Sequence, residues 1–357
     1  MLKYFENIQD PRQAWKVKHN LLEIVVMVIC AVVAECEAWY QIDHYCQLWF
    51  KQKLKLKLEN GIPSHDTMQR VFELIDPNEL EASFRSLILD VAGSPKSGTV
   101  SIDGKTIKSS KTDDKKAAYM VSAWSSNLGL VIGQVKTCEK SNEIKAVPEL
   151  LNLLDVRGCT VTADAMSCQK EIVKKVTQRG ADYCIALKQN QKNLFEDVSF
   201  YFSDIQNLKA TKTFEKGHGR LETREYFLET NIDWLHKKDE WKNLNGISMV
   251  RSTILKKRIE KQEVRYFLTS LLDVKKFAKS LREHWVIENN LHLVLDVAFR
   301  EDYNKTNKGN SAENFAITRH IALNLIRRDT SKMSVRGKRH RYAYDNKFLY
   351  KILFESF

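Results

Sequence analysis

Every position from Ile24 to Ala34 is apolar, and a stretch of helical period and mixed polarity follows it through Trp49. A bilayer span needs about 20 apolar residues, so this shorter run predicts a buried helix in a soluble, cytoplasmic chain, with no membrane partner. In "GIPSHDTMQRVFELIDPNELEASFRSLILDVAG" two helix starts are visible. Ser64 or Asp66 caps a helix beginning near Thr67, and Asp76 caps the next with Pro77 at its first position. Residues 1–92 therefore read as a helical N-terminal domain, compatible equally with a helix-turn-helix and with a plain helical bundle. "GSPKSG", residues 93–98, reads as a linker.

At position 99 the period of the pattern drops to two. "TVSID", "YMVSAW", "GLVIGQVKT", "CTVTAD" and "DYCIALK" are short segments rich in β-branched residues, and "KAVPELLNLLD" and "CQKEIVKKVTQRG" are helices between the later ones. Three strands followed by alternating helix and strand predict an α/β fold with a mixed sheet flanked by helices. Residues from about 209 to 272 turn β-rich again and read as an inserted sheet. A long helix follows from about Val274, then further helical segments to about residue 330. Residues 331–357 form a basic tail containing "SVRGKRHR".

Composition narrows the function classes. With only 5 Pro and 13 Gly in 357 residues and 43% hydrophobic content, disorder is excluded outside the ends. The 7 cysteines form no C-x-x-C pair and sit mostly among apolar neighbours, which predicts buried, reduced thiols. None of the 9 histidines shows zinc-ligand spacing. Charged residues at Lys3, Glu6, Asp10 and Arg12 argue against a signal peptide. A net charge of +12, spread along the chain, suits a polyanionic partner.

The segment "VSIDGKTIK" (100–108) places Gly-Lys-Thr after an aspartate, yet it is not a phosphate-binding loop. That motif needs a glycine five positions before the Gly-Lys pair, where this chain has Thr99. Attention moves to Asp103. In "TVSID", Thr99, Ser101 and Asp103 share one face of a strand; in "TVTAD", Thr160, Thr162 and Asp164 repeat the arrangement. Each strand ends on an acid at its carboxyl end, where open α/β sheets place ligands. Capping of a following turn would produce the same residues.

A third acid comes from the long helix. On a 3.6-residue period Phe277, Leu281, His284, Glu288, Leu291 and Leu295 form one stripe, and a carboxylate within it needs a partner or a cation. Asp296, Glu301 and Asp302 lie just downstream as rival third ligands. Two aspartates and a glutamate would make an all-oxygen site suited to Mg²⁺ or Mn²⁺ rather than zinc.

Several stretches also resemble the DDE transposases of bacterial insertion sequences, of the H-repeat-associated type. They are "FENIQDPR", "GIPSHDTMQRVF", "SIDGKTIK", "KSNEIKAVPELLNLLD", "VTADAMSCQKEI", "DYCIALKQNQKNL", "GHGRLETRE" and "HWVIENNLHLVLDVAFRED", in that order over nearly the whole chain. The resemblance implies a ribonuclease-H-like catalytic domain over residues 99–330 with the β-rich insertion. It also implies catalytic, metal-binding acids at Asp103, Asp164 and Glu288. Two divalent ions would promote cleavage at the element's ends and strand transfer into target DNA. The wider group's Tyr, Arg and Lys around the glutamate are replaced here by Leu281, His284 and Leu295, so their roles do not carry over.

The implied partners are double-stranded DNA and, on paired ends, a second copy of the chain. Lys105, Lys188, Asn190, Gln191 and Lys192 are candidate DNA contacts, as are His218, Arg220 and Arg224 in the inserted sheet. Gln69 and Arg70 are expected near a groove, with "KQKLKLK" along phosphates. Each of these would look the same as a solvated surface residue. Two other classes compete: a non-catalytic, transposase-derived DNA-binding protein, and a ribonuclease-H-like nuclease without strand transfer.

Overall fold

The computed structural model describes residues 1–53, 56–111, 116–137, 142–204, 209–217, 219–257 and 259–355. The apolar run becomes α1 (Leu21–Val33), capped by Asn20, whose side chain accepts from the Leu22 and Glu23 amides. All but two of its residues are buried, as its unbroken hydrophobicity requires. It is followed by α2 (Trp39–Lys53), α3 (His65–Leu74) and α4 (Pro77–Ala92). The start of α4 is as expected: the Asp76 side chain accepts from the Asn78 amide at 2.9 Å, and Pro77 opens the first turn. Ser64 precedes α3, but its hydroxyl pairs with that of Thr67 at 3.2 Å instead of capping an amide.

The strands are β1 (Thr99–Ile107), β2 (Ala118–Ser125), β3 (Leu130–Thr137), β4 (Thr160–Ala163), β5 (Asp182–Leu187), β6 (Thr211–Gly217), β7 (Arg220–Glu229), β8 (Gly246–Lys256) and β9 (Ile259–Thr269). Between β3 and β6 run α5 (Glu143–Leu153), α6 (Lys170–Gln178) and α7 (Lys192–Tyr201). After β9 come α8 (Val274–Ile287), a π-helical turn at Glu288–His292, α9 (Leu293–Ala298), α10 (Ser311–Arg327), α11 (Val335–Tyr344) and α12 (Asn346–Tyr350). All nine strands join one mixed sheet in the order β3-β2-β1-β4-β5-β9-β8-β7-β6. β1, β4 and β5 are mutually parallel, whereas β1–β2, β2–β3, β5–β9 and the pairs from β9 to β6 are antiparallel.

Two expectations change here. The β-rich stretch is not a separate sheet: β9 pairs with β5, so β6–β9 lengthen the central sheet. The basic C-terminal segment is not a free tail either. Arg339 is fully buried, donating to the Val32 and Ala298 carbonyls and pairing with Glu37 at 2.6 Å, and Lys338 is buried against the Asp329 carbonyl.

α1 lies against α10, and both belong to one continuous hydrophobic core with Val100, Ile102, Val161 and Ala163 from β1 and β4. The opposite, hydroxyl-bearing face of β1 and β4 is covered by α8. There Ser101 Oγ donates to the Glu283 carbonyl at 3.3 Å, and Thr162 Oγ1 lies 2.9 Å from His284 Nδ1. The two-residue alternation thus divides each strand between a dry core and a polar face under α8. Six of the seven cysteines fall among the described residues, and all six are buried free thiols; Cys138 lies outside them. No helix among the described residues is long and apolar enough to cross a membrane.

Candidate functional site

β1 and β4 run parallel in the register Ser101↔Thr162, Ile102↔Ala163. Asp103 and Asp164 are the next residues of the two chains, immediately beyond the last paired positions Ile102 and Ala163. β4 stops at Ala163, whereas β1 continues through Asp103 to Ile107, paired with β2 throughout. Asp103 is therefore not at the end of its strand, as the sequence suggests, but at the point where its parallel neighbour leaves the ladder. That departure opens the cleft.

Each aspartate spends one oxygen locally. Asp103 Oδ1 accepts from the Gly104 amide at 2.9 Å; Asp164 Oδ1 caps the following turn, accepting from Met166 at 2.9 Å and Ser167 at 3.4 Å. The capping reading of Asp164 is thus correct as far as one oxygen goes. Asp103 Oδ2 lies 3.5 Å from His292 Nδ1. Burial pushes His292 and His284 down to about 4, so both imidazoles are neutral at pH 7. Neutral rings beside the aspartates add no positive charge, which leaves the adjacent carboxylates uncompensated by either histidine.

Gly104 does not turn the chain. It stays in the strand because the Tyr119 ring lies over it, and a Cβ there would overlap that ring. The Tyr119 hydroxyl is hydrogen-bonded to the buried Glu143; burial first, then the charges of Glu143 and Asp103, raise its pKa. Tyr119, Glu143 and His292 had no signal in the sequence, because only the packing of β2, α5 and the π turn brings them to the site.

The long helix departs most from expectation. Phe277, Leu281, Leu291 and Leu295 are buried, but Glu288 is exposed. A straight 3.6-residue period is broken by the π turn at Glu288–His292, which shifts the phase of everything beyond it. Glu288, the first residue of that turn, lies off the buried stripe, and its neighbour Ile287 is buried instead. Glu288 sits between His284, which meets Thr162, and His292, which meets Asp103, and its side chain makes no hydrogen bond or ion pair among the described residues.

The three rival acids are engaged by Lys105. Its Nζ lies 2.8 Å from Asp296, 2.8 Å from Glu301 and 3.5 Å from Asp302. Burial disfavours the lysine charge, but Glu301 and Asp296 outweigh it and raise its pKa. Glu301, only 3% exposed, also faces Arg319 at 3.7 Å. Lys105 is consequently not a free cation of the surface but the centre of a half-buried ion cluster.

The other expected contact residues are scattered. The Asn190 amide donates to the Ala165 carbonyl at 2.7 Å and that of Gln191 to Cys168 at 2.9 Å, tying the loop after β5 to the Asp164 turn. Lys188 and Lys192 are exposed. Arg220 is exposed, but Arg224 is buried: it pairs with Glu222 and Glu215 and stacks on Trp285, 4.6 Å from the ring centroid. His218 lies outside the described residues, as do Leu54 and Lys55 of "KQKLKLK". Arg70 is exposed, while the Gln69 amide is bound to Glu73 at 2.9 Å, and the two line different grooves.

Asp103 and Asp164 offer oxygen donors of the kind a hard divalent cation takes. Among the described residues no three acid, histidine or cysteine side chains are gathered closely enough to enclose one.

Comparison with known proteins gives a family. Residues 94–325 match the family described as "Transposase DDE domain", and residues 2–88 match "DDE_Tnp_1-associated". "H repeat-associated putative transposase YhhI" of Escherichia coli (strain K12) is 38% identical over 99% of this chain and 97% of its own length. "Putative transposase YncI" of Escherichia coli O157:H7 is 39% identical over 99% of this chain and 94% of its own. Among solved structures, "Cryo-EM structure of piggyBac transposase synaptic complex with hairpin DNA (SNHP)" overlaps 96% of this chain and 76% of that one, at 10% identity and a TM-score of 0.40.

Proposed function

The chain belongs to the transposase DDE-domain family, and on that premise we propose that it cleaves DNA at the ends of an insertion sequence and joins those ends to target DNA. The observation that carries this reading is the parallel register of β1 and β4, which sets Asp103 beside Asp164 where β4 ends. We read β3-β2-β1-β4-β5 as a ribonuclease-H-like sheet and residues 99–330 as the catalytic domain. Residues 1–92 form the part that meets the element end, with 93–98 as linker and two copies acting on paired ends.

The carboxylates of Asp103 and Asp164 would hold Mg²⁺ or Mn²⁺. Glu288 is the third ligand: Asp296, Glu301 and Asp302 are all held by Lys105, and Glu288 alone of these acids lies between the two histidines that meet the aspartate strands. Ions held by these residues would supply Lewis-acid stabilisation for an in-line displacement at phosphorus and activation of the attacking water. The chain's own part is positional. The β1 ladder fixes Asp103, the turn at Met166 fixes one oxygen of Asp164, and neutral His292 leaves the Asp103 charge for a cation. Glu288 must swing inward from the exposed π turn.

The test is incubation of the protein with Mg²⁺ and a duplex carrying an inverted repeat read from the DNA flanking its gene, with cut and joined products resolved on a gel. Cutting followed by joining supports the proposal. Cutting without joining would reduce the protein to a nuclease, and binding without cutting to a DNA-binding relative.

A further inference from the structure

Near the N-terminus the chain builds a second feature, away from the acids. A groove of about 680 Å³ runs between residues 11–19 and the face of α3 that carries Thr67 and Arg70. Lys16, Lys18 and Arg70 line it, all three exposed, and no acidic side chain does. Arg12 and His19 line it as well but add little charge. Arg12 is neutralised by a two-pronged pair with Asp10, and burial lowers the pKa of His19.

The wall carrying the lysines is pre-set. Arg12 Nη2 donates to the His19 carbonyl at 2.8 Å, closing the loop on itself. Asn60 donates to the Lys18 carbonyl at 2.6 Å, fastening that loop to the segment before α3. Next to Lys16 in the chain, Trp15 is 80% exposed, and the Lys16 ammonium lies over its ring, 4.6 Å from the centroid. A fixed wall that presents cations without counter-charges matches a row of phosphates, because little side-chain and loop freedom remains to be lost on binding.

We propose that this groove receives the phosphate backbone of duplex DNA, with Lys16, Lys18 and Arg70 as the phosphate contacts and Trp15 as an apolar contact beside Lys16. The inference rests on the transposase reading for the identity of the polyanion, and it assigns the contact to residues 11–19 rather than to "KQKLKLK".

The experiment uses the full-length chain and a fluorescent duplex carrying one element end, with affinity followed by anisotropy as KCl is raised. Each phosphate contact adds about 0.9 to the slope of log affinity against log salt. The variant Lys16→Ala/Lys18→Ala/Arg70→Ala should therefore flatten the slope by about 2–3 with an unchanged melting temperature. A charge-matched control, Lys174→Ala/Lys237→Ala/Lys242→Ala, removes exposed lysines elsewhere and should leave the slope near that of the wild type. Trp15→Ala should weaken binding several-fold at constant slope. An unaltered slope in the triple variant, or equal flattening in the control, overturns the groove assignment. Wild-type protein that binds the duplex without salt dependence would instead sink the transposase reading itself.

Discussion

Replacing Lys105 by Met separates a structural role from a phosphate contact. Three carboxylates converge on the Lys105 ammonium, at 2.8, 2.8 and 3.5 Å. Glu301 is the costly one. It is 3% exposed, and without Lys105 its nearest cation is Arg319 at 3.7 Å. Removing one partner of a buried pair typically costs about 3–5 kcal/mol, because the remaining charge is left in a poorly solvated place. Unfolding entropy of about 2.1 cal/mol/K per residue gives about 0.75 kcal/mol/K for a chain of 357 residues. The melting temperature should then fall by roughly 4–7 °C. Circular dichroism melts of Lys105→Met, Glu301→Gln and the double variant measure this, and the second substitution should recover at least about 1 kcal/mol in the Lys105→Met background. Salt-dependent DNA binding by Lys105→Met should match the wild type. A fall of less than about 1 °C, combined with a flatter salt slope, would refute the ion-cluster reasoning and restore Lys105 as a phosphate contact.

Other consequences follow from the same geometry. Gly104→Ala forces a methyl into the Tyr119 ring and should cost about 1–3 kcal/mol in a denaturant melt, with much of it recovered by Tyr119→Ala in the same chain. Burial pushes His320 from 6.5 down to about 4, so between those values the unfolded chain binds a proton that the folded chain does not. Stability should drop as pH falls from about 6.5 toward 4, by up to about 3 kcal/mol for this group, and should be flat above that window. A His320→Gln variant should show a shallower loss, measured by urea titration at each pH. Glu288→Gln removes an exposed carboxylate and should alter stability by less than about 0.5 kcal/mol while abolishing Mn²⁺-supported cleavage. Asp296→Asn should loosen Lys105 yet retain cleavage.

What the sequence made legible was what short-range rules govern. The unbroken apolar run could only be a buried helix, Asp76-Pro77 could only open one, and the alternation Thr-x-Ser-x-Asp beside Thr-x-Thr-x-Asp put the hydroxyls and aspartates on one face of each strand. The pairing of Asp103 with Asp164 followed from that alternation once the strands were parallel. What was not legible depended on distant partners. Nothing local to Gly104 announces Tyr119, and nothing in "GKT" shows that Lys105 will be enclosed by Asp296, Glu301 and Asp302, nearly 200 residues later. The helix-period argument placed Glu288 on a buried stripe because it assumed one uninterrupted α-helix. The π turn removes that assumption, and the case for Glu288 now rests on the engagement of its rivals. Read from the sequence, Arg224 is a candidate DNA contact and Arg339 part of a basic tail; neither reading anticipates burial, because burial of an arginine requires acids and carbonyls from elsewhere: Glu215 and Glu222 for one, Glu37 and the Val32 carbonyl for the other.

The measurement that bears most directly on the site is Mg²⁺-dependent nicking of an end-containing duplex by Asp103→Asn and Asp164→Asn. Asn caps a turn about as well as Asp, so Asp164→Asn should melt within a degree or two of the wild type and match it in any DNA binding. Both variants should lose nicking, because each removes a carboxylate from the adjacent pair on β1 and beyond β4. Nicking at the wild-type rate by either one, in a folded protein, would contradict the assignment.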